Sequence, residues 1–212
     1  MMINLILDCS CGMNVFVVKD EKVFSFEDKS QSKHSDEILK VIDELLNKAK
    51  VKIKDVNNIC VCVGPGSFTG VRVAVSIVKG LAVGTCAKLF VLTNFEVFEM
   101  SQENSCLVLD GFSNFVYVRK FKNGASQDIC IEIQELSKVI MDENLAVYHT
   151  TEKTQNLLEK FEINSEFVKN NIIFAFNKII KENKFVEINQ IYPVYLRASQ
   201  AEIEREKKKN GI

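Results

Sequence analysis

The sequence has 212 residues, of which 47% are hydrophobic and 26% are charged, and its formal net charge is −1. These proportions are typical of a globular protein, and the length allows one large domain or two smaller lobes. A near-neutral chain lacks the basic excess that draws a protein onto nucleic acid, so contact with RNA would require a local patch or a partner. No apolar run approaches the roughly 20 residues that a membrane span needs, so no membrane association is expected.

The cysteines favour a reducing compartment. Their number is odd, at seven, and Asp8 interrupts the first apolar run, unlike a signal peptide, so we expect a cytoplasmic protein with free thiols. Two Cys-x-Cys pairs occur, Cys9/Cys11 and Cys60/Cys62. Structural zinc usually takes Cys-x-x-Cys pairs, whereas residues two apart on a strand share a face. We predict that both pairs are small core residues and that the chain has no metal site.

The first part of the chain alternates short apolar runs with polar turns, which predicts strands. Three antiparallel strands are predicted at residues 3–7, 15–18 and 23–26. A helix is then predicted from residue 35 to residue 50, because Ser35 is a good N-cap and apolar side chains recur at helical spacing. Its apolar stripe is wider than a helix lying on a sheet requires, so we expect part of it to meet a second protein surface.

A glycine-rich joint at residues 64–70 separates two buried elements, an apolar strand at 59–63 and an apolar run at 71–83. Its spacing fits neither the P-loop, which ends in Gly-Lys-Ser/Thr, nor the Gly-x-Gly-x-x-Gly dinucleotide loop. The run alternates β-branched residues like a strand, but it is too long for one, so we predict a helix. Its polar stripe is narrow, and a helix so apolar is buried either in a core or in a subunit interface.

The N-terminal pattern returns near the middle of the chain. The run Leu-Ile-Leu-Asp at 5–8 matches Leu-Val-Leu-Asp at 107–110, and each is followed by a polar turn and an apolar strand. We therefore predict a duplicated architecture of two lobes. The first lobe comprises residues 1–103 completed by 186–212, and the second lobe comprises 104–185. Further elements are predicted as a short helix at 94–101, a strand at 145–148, helices at 154–161 and 167–180, and a charged terminal helix at 198–209.

One segment resembles a family signature. Residues 64–72 read Gly-Pro-Gly-Ser-Phe-Thr-Gly-Val-Arg, which is similar to the signature of the TsaB (YeaZ) family, a branch of the Kae1/TsaD/YgjD group. The Leu-Asp turn at Asp8, the His-Ser-Asp at 34–36 and the Tyr-Leu-Arg at 195–197 also resemble that family. The second turn differs, because the family often has Asp-Ala-Arg where this chain has Asp-Gly-Phe at 110–112. The resemblance implies an α/β, two-lobed actin-like ATPase (ASKHA, ribonuclease H-like) fold with mixed sheets flanked by helices.

The resemblance also implies a role in tRNA modification. In that family's system, TsaD transfers the threonylcarbamoyl group to adenosine 37 of tRNAs reading ANN codons, and its paralogue TsaB binds and activates TsaD together with the ATPase TsaE. The expected partners are TsaD in a heterodimer, TsaE, a second copy when the chain is alone, and tRNA only through the complex. The expected interface residues are Leu39, Ile42, Leu46, Ser67, Phe68, Thr69, Gly70, Arg72, Val75, Ser76 and Lys79.

The candidate chemical groups favour a chain without catalytic residues. The catalytic relative holds a metal through a His-x-x-x-His helix, whereas this chain has only His34 and His149. Asp8 and Asp110 stand at the turns where actin-like ATPases coordinate Mg-nucleotide, so a nucleotide-binding, ATPase-like enzyme remains the alternative. We expect no tightly bound cofactor, with ATP or ADP and Mg bound only in the complex. A direct tRNA-binding module is a third interpretation, which the near-neutral charge disfavours.

Overall fold

The computed structural model describes residues 1–28, 37–98 and 102–197. The chain divides into two compact units. The first lobe comprises Met1–Glu99 and Lys169–Val194, and the second lobe comprises Met100–Val168 and Tyr195–Ile212, in each case as far as the residues are described. His34, Ser35 and Asp36, and the terminal helix predicted at 198–209, lie outside the described residues.

The sheet of the first lobe consists of β1 (Ile3–Asp8), β2 (Met13–Lys19), β3 (Lys22–Asp28), β4 (Asn58–Cys62) and β5 (Lys88–Leu92). Their order across the sheet is β3-β2-β1-β4-β5. The predicted antiparallel meander of β1, β2 and β3 is confirmed, and β4 and β5 run parallel to β1. β1 and β4 lie inside the sheet and are buried along their whole length, which explains why their sequences are apolar at most positions.

Two helices cover one face of this sheet, α1 (Ile38–Ala49) over β2 and β3, and α2 (Phe68–Val83) over β4 and β1. Most of the apolar stripe of α1 that was expected to meet a second protein surface is buried within the first lobe. Ile42 and Leu46 are only 2% and 3% exposed and belong to the core cluster, whereas Leu39 is 52% exposed. The wide stripe is needed because α1 lies across two strands, so side chains on both sides of its axis contact the sheet.

A third helix, α5 (Ile172–Lys181), covers the opposite face of the first-lobe sheet. Its Phe176 ring meets the ring of Phe90 on β5 edge to face, with centroids 5.7 Å apart. Asn171 caps α5 by accepting a hydrogen bond from the N–H of Phe174, so the helix begins later than residue 167. Because α5 packs here, the C-terminal completion of the first lobe is Lys169–Val194, not the predicted 186–212.

The second-lobe sheet consists of β6 (Ser105–Asp110), β7 (Phe115–Lys122), β8 (Ala125–Glu132), β9 (Ala146–His149) and β10 (Glu166–Phe167). Its helices are α3 (Ile133–Glu143) and α4 (Glu152–Glu159). The order β10-β9-β6-β7-β8 repeats the strand order and the strand directions of the first sheet. The predicted duplication and the mixed sheets flanked by helices are therefore confirmed. Neither β8 nor α3 was predictable from a clear pattern, because most of their side chains are only partly buried or exposed.

Two local predictions fail. The helix predicted at 94–101 is not formed over the part that the structure describes, where residues 94–98 form turns and a bend. Cys60 and Cys62 on β4 and Cys9 after β1 are buried core residues as predicted, but Cys11 is exposed. All seven cysteines are free thiols.

Within the described ranges, no helix combines the length and the apolar character needed to cross a membrane.

Candidate functional site

The glycine joint between β4 and α2 is fixed onto the turn that follows β1. The N–H of Ser67 donates to Ser10 O at 2.8 Å, and Ser67 Oγ caps α2 by accepting from Gly70 N at 3.2 Å. A Cβ added at Gly66 would lie 2.6 Å from Ser10 O, and one at Gly70 would lie 2.0 Å from Cys9 O. The glycines therefore permit close backbone packing, and two N–H groups that an anion could use are engaged within the lobe.

Asn94 holds the other side of the joint. Its side chain is buried, its N–H donates to Gly64 O at 2.8 Å, and its Nδ2 donates to Pro65 O at 2.9 Å. Nδ2 also lies 3.7 Å from the sulfur of Cys11, and the thiol of Cys62 donates to Oδ1 at 3.9 Å. The sequence contains no pattern that would identify this residue, because its four contacts come from three separate segments.

The two candidate nucleotide-binding carboxylates each have partners within their own lobe. Asp8 is 2% exposed, and its Oδ1 accepts from the N–H of Ser10 at 2.9 Å and from the Ser10 hydroxyl at 2.5 Å. Asp110 Oδ2 accepts from Lys153 Nζ at 2.5 Å. Through these two bonds, Oδ1 of Asp8 closes the turn that follows β1. Across residues 1–28, 37–98 and 102–197, no three His, Cys, Asp or Glu side chains converge as metal ligands.

His149 is a buried imidazole at the end of β9. Its Nδ1 lies 2.9 Å from Ser165 Oγ, and its ring centroid lies 5.7 Å from that of Phe167. Burial lowers the pKa of His149, and the negative charge of Glu159 opposes that shift without reversing it. The neutral imidazole is therefore the form that the folded second lobe favours.

We expect the second lobe to lose stability as the pH falls. The folded-state pKa of His149 lies below the unfolded value of about 6.5, so its contribution is complete above that pH and is lost below it. Urea unfolding at pH 7.5 and at pH 5.5 measures the effect. His149→Gln should lose less stability between the two pH values than the wild type. An equal loss in His149→Gln and the wild type would contradict this assignment.

The outward side of α2 is a candidate binding surface on the first lobe. We define the outer face of α2 as the side chains that share its solvent side, namely Phe68, Thr69, Arg72, Ser76, Gly80 and Val83. Phe68 is 38% exposed and Val83 is 82% exposed. The Arg72 guanidinium stacks 3.7 Å above the ring of Phe68, which lies one turn before it. A Cβ added at Gly80 would meet no atom of the described residues within 4 Å.

The predicted interface residues separate into two groups. The first group lies at or near the surface. Its exposed members are Leu39, Ser67, Phe68, Thr69, Arg72 and Ser76. Gly70 packs on Cys9, and Lys79 Nζ lies 4.7 Å from the ring centre of Tyr192. Val75, like Ile42 and Leu46, points into the core of the first lobe and is 5% exposed. These three side chains are therefore corrected to core residues. Neither Gly80 nor Val83 is among the predicted interface residues, although both lie within the apolar run.

Two five-stranded mixed sheets with the same strand order and strand directions, each carrying helices, define a protein of the actin-like ATPase fold. The solved structure of YeaZ from Pseudomonas aeruginosa shares this fold, with a TM-score of 0.70 at 19% identity, covering 92% of this chain and 100% of that chain.

A family model described as "TsaD: tRNA N6-adenosine threonylcarbamoyltransferase" matches residues 28–185, well over half of the chain. The tRNA threonylcarbamoyladenosine biosynthesis protein TsaB of Buchnera aphidicola subsp. Acyrthosiphon pisum is 27% identical over 166 residues, or 76% of this chain and 71% of the relative. The TsaB protein of Buchnera aphidicola subsp. Schizaphis graminum is 25% identical over 191 residues, or 85% and 82%. The chain belongs to this family, in its TsaB/YeaZ branch.

Proposed function

We propose that this chain is a non-catalytic subunit in the biosynthesis of threonylcarbamoyladenosine in tRNA, and that it binds TsaD through the outer face of α2 together with Leu39 on α1. The relatives support the process, since both are named for tRNA threonylcarbamoyladenosine biosynthesis. The matched family model supports the partner, because two paralogues that share a fold present related helical surfaces to each other.

Gly80 is the observation that carries the assignment of this face. A glycine within a helix costs about 0.5–1 kcal/mol relative to alanine. Among the residues of the first lobe that the structure describes, none requires a glycine at this position, since an added Cβ would meet none of their atoms within 4 Å. The close approach of a backbone from another chain supplies a reason for the missing side chain. The exposed apolar residues Phe68 and Val83, on the same face, would be buried by that approach.

The internal contacts of the candidate carboxylates support the non-catalytic part of the proposal. Asp8 accepts hydrogen bonds from Ser10, and Asp110 accepts one from Lys153.

The proposal includes TsaE as a further component, a second copy on the same face when TsaD is absent, and tRNA contact only through the complex in the cytoplasm. An assay of tRNA modification by TsaD and TsaE, with and without this chain, tests the activating role. Micromolar ATP binding by the isolated chain that is lost in Asp8→Ala would instead favour the ATPase-like alternative.

Leu39→Asp should weaken binding to TsaD by about tenfold or more, because burying an unpaired carboxylate at an apolar contact costs more than about 1.4 kcal/mol. Titration calorimetry with purified TsaD measures the dissociation constant. Val23→Asp is the matched control, because Val23 lies on β3 and is 47% exposed, close to the 52% of Leu39. Both variants should keep the wild-type free energy of unfolding within about 0.5 kcal/mol. Unchanged affinity in Leu39→Asp, or an equal loss in both variants, would remove α1 from the interface.

A further inference from the structure

We infer that Asn94 is a positioning residue that fixes the direction of α2, and thereby the surface that the first lobe presents to its partner. The inference rests on the proposed function for its biological meaning, but its structural basis lies wholly within the first lobe. Asn94 is 4% exposed and follows β5 by two residues, at the end of the sheet where the glycine joint begins.

The side chain of Asn94 joins segments that are far apart in the sequence. Its Nδ2 binds Pro65 O in the joint at 2.9 Å and lies 3.7 Å from the sulfur of Cys11, in the turn between β1 and β2. Its Oδ1 accepts from the thiol of Cys62 at the end of β4. Burial raises the pKa of Cys62 well above its usual value, so that sulfur remains a protonated donor. We call this set, Asn94 with Cys11, Cys62 and Pro65, the joint clamp.

The joint clamp and the Ser67 cap hold opposite ends of one short connection. β4 ends at Cys62 and α2 begins at Phe68, so few residues lie between them. The N–H of Ser67 fixes the far end of the connection to Ser10 O at 2.8 Å. If the near end moves, we expect the first turn of α2 to move with it, because only residues 63–67 join the two elements. Truncation of the Asn94 side chain leaves its main-chain bond to Gly64 O intact, so the lobe can fold while the joint loosens.

A small change at the joint becomes larger along the helix. α2 contains 16 residues, which at 1.5 Å per residue is roughly 24 Å. A rotation of about 5° at the first turn would therefore displace the last turn by about 2 Å. Val83 lies at that last turn and Gly80 one turn earlier, so the part of the outer face that requires the closest approach is the part most sensitive to the clamp.

Asn58 provides a matched control for a purely structural effect. It is a second buried asparagine in the same lobe, 6% exposed, and its Nδ2 donates to Asn4 Oδ1 at 2.8 Å. Asn58 begins β4, at the end of that strand away from the joint. Removal of either side chain breaks a buried hydrogen bond, and only Asn94 contacts the joint. We expect Asn94→Ala and Asn58→Ala to lower the urea midpoint similarly.

The dissociation constant for TsaD distinguishes a positioning role of Asn94 from a purely structural one. Asn94→Ala should bind about tenfold more weakly than Asn58→Ala, or about 1.4 kcal/mol. Asn94→Asp, which keeps the size and the Oδ1 acceptor and removes the Nδ2 donor, should also bind more weakly and serves if Asn94→Ala does not fold. Amide NMR spectra of the isolated chain give a second readout, in which the Gly80 resonance should shift in the Asn94 variants and remain in place in Asn58→Ala.

The possible outcomes distinguish this inference from the proposed function. If wild-type protein binds TsaD and the Asn94 and Asn58 variants bind equally well, the positioning role is overturned. If wild-type protein does not bind TsaD, the proposed function fails, and the NMR spectra alone decide about the clamp. In that case, a shifted Gly80 resonance in the Asn94 variants supports the positioning role, and an unshifted resonance overturns it.

Discussion

Gly70→Ala should lower the free energy of unfolding of the first lobe by about 3 kcal/mol, at the upper end of what forced overpacking costs. The new Cβ would lie 2.0 Å from the carbonyl oxygen of Cys9, far inside the contact distance. That oxygen belongs to the main chain directly after β1, so it cannot rotate away as a side chain could. The joint would have to lift off the turn, which would also break the bond from Ser67 N to Ser10 O. Urea unfolding followed by circular dichroism measures the loss.

The same substitution at Gly80 is the control, and its effect should have the opposite sign. Both glycines lie in α2, but a Cβ at Gly80 meets no atom within 4 Å in the part of the chain that the structure describes. Gly80→Ala should therefore stabilise the isolated chain by about 0.5–1 kcal/mol through helix propensity and a less flexible unfolded state. It should also weaken TsaD binding, because the proposed close approach leaves no room for the methyl group. A Gly70→Ala variant as stable as the wild type would show that the joint is not tightly packed.

The elements that can be predicted from the sequence are those whose pattern is local. β4, the glycine joint and α2 lie where their residues indicate, because a fully apolar short run, a glycine cluster and a long apolar run each specify one element. The duplication is visible for a similar reason. Asp8 and Asp110 end the equivalent strands β1 and β6, and the apolar runs before them must fill equivalent buried positions.

The composition of the binding face is less predictable, because an apolar stripe indicates how much of a helix is buried and not what buries it. Ile42, Leu46 and Val75 are as apolar as Val83, yet the first three pack into their own lobe and Val83 is 82% exposed. The difference depends on which strands lie beneath each helix, and this follows from the sheet order. The role of Asn94 is even less predictable from the sequence, because it consists of contacts to residues up to 83 positions away.

Prediction of the lobe boundary also requires knowledge of contacts between segments that are far apart in the sequence. Residues 172–181 have a clear helical pattern, but α5 would satisfy that pattern equally well on either sheet. The decisive contact is Phe176 against Phe90, which brings the C-terminal part of the chain back to β5. An isolated bridge between Leu89 and Val186 adds a second connection to the same strand. The first lobe therefore depends on residues that follow the entire second-lobe sheet in the chain, and we expect its folding to require them.

Phe176→Ala should lower the free energy of unfolding by about 3–5 kcal/mol, the usual cost of removing a large aromatic side chain from a core. Phe176 is 0% exposed, and its ring is an edge-to-face partner of Phe90. Phe174→Ala is the matched control on the same helix, because Phe174 is 45% exposed and should cost less than about 1 kcal/mol.

Hydrogen exchange locates the damage that Phe176→Ala causes. If α5 stabilises the first lobe, the amides of β4 and β5 should lose protection in Phe176→Ala, while those of β6 and β9 keep it. Loss of protection in β6 and β9 alone would instead assign α5 to the second lobe and restore a boundary near residue 186. The result also bears on partner binding, because β5 leads directly into Asn94. Weakened support beneath β5 should loosen the joint clamp and lower affinity for TsaD in Phe176→Ala, whereas Phe174→Ala should bind as the wild type does.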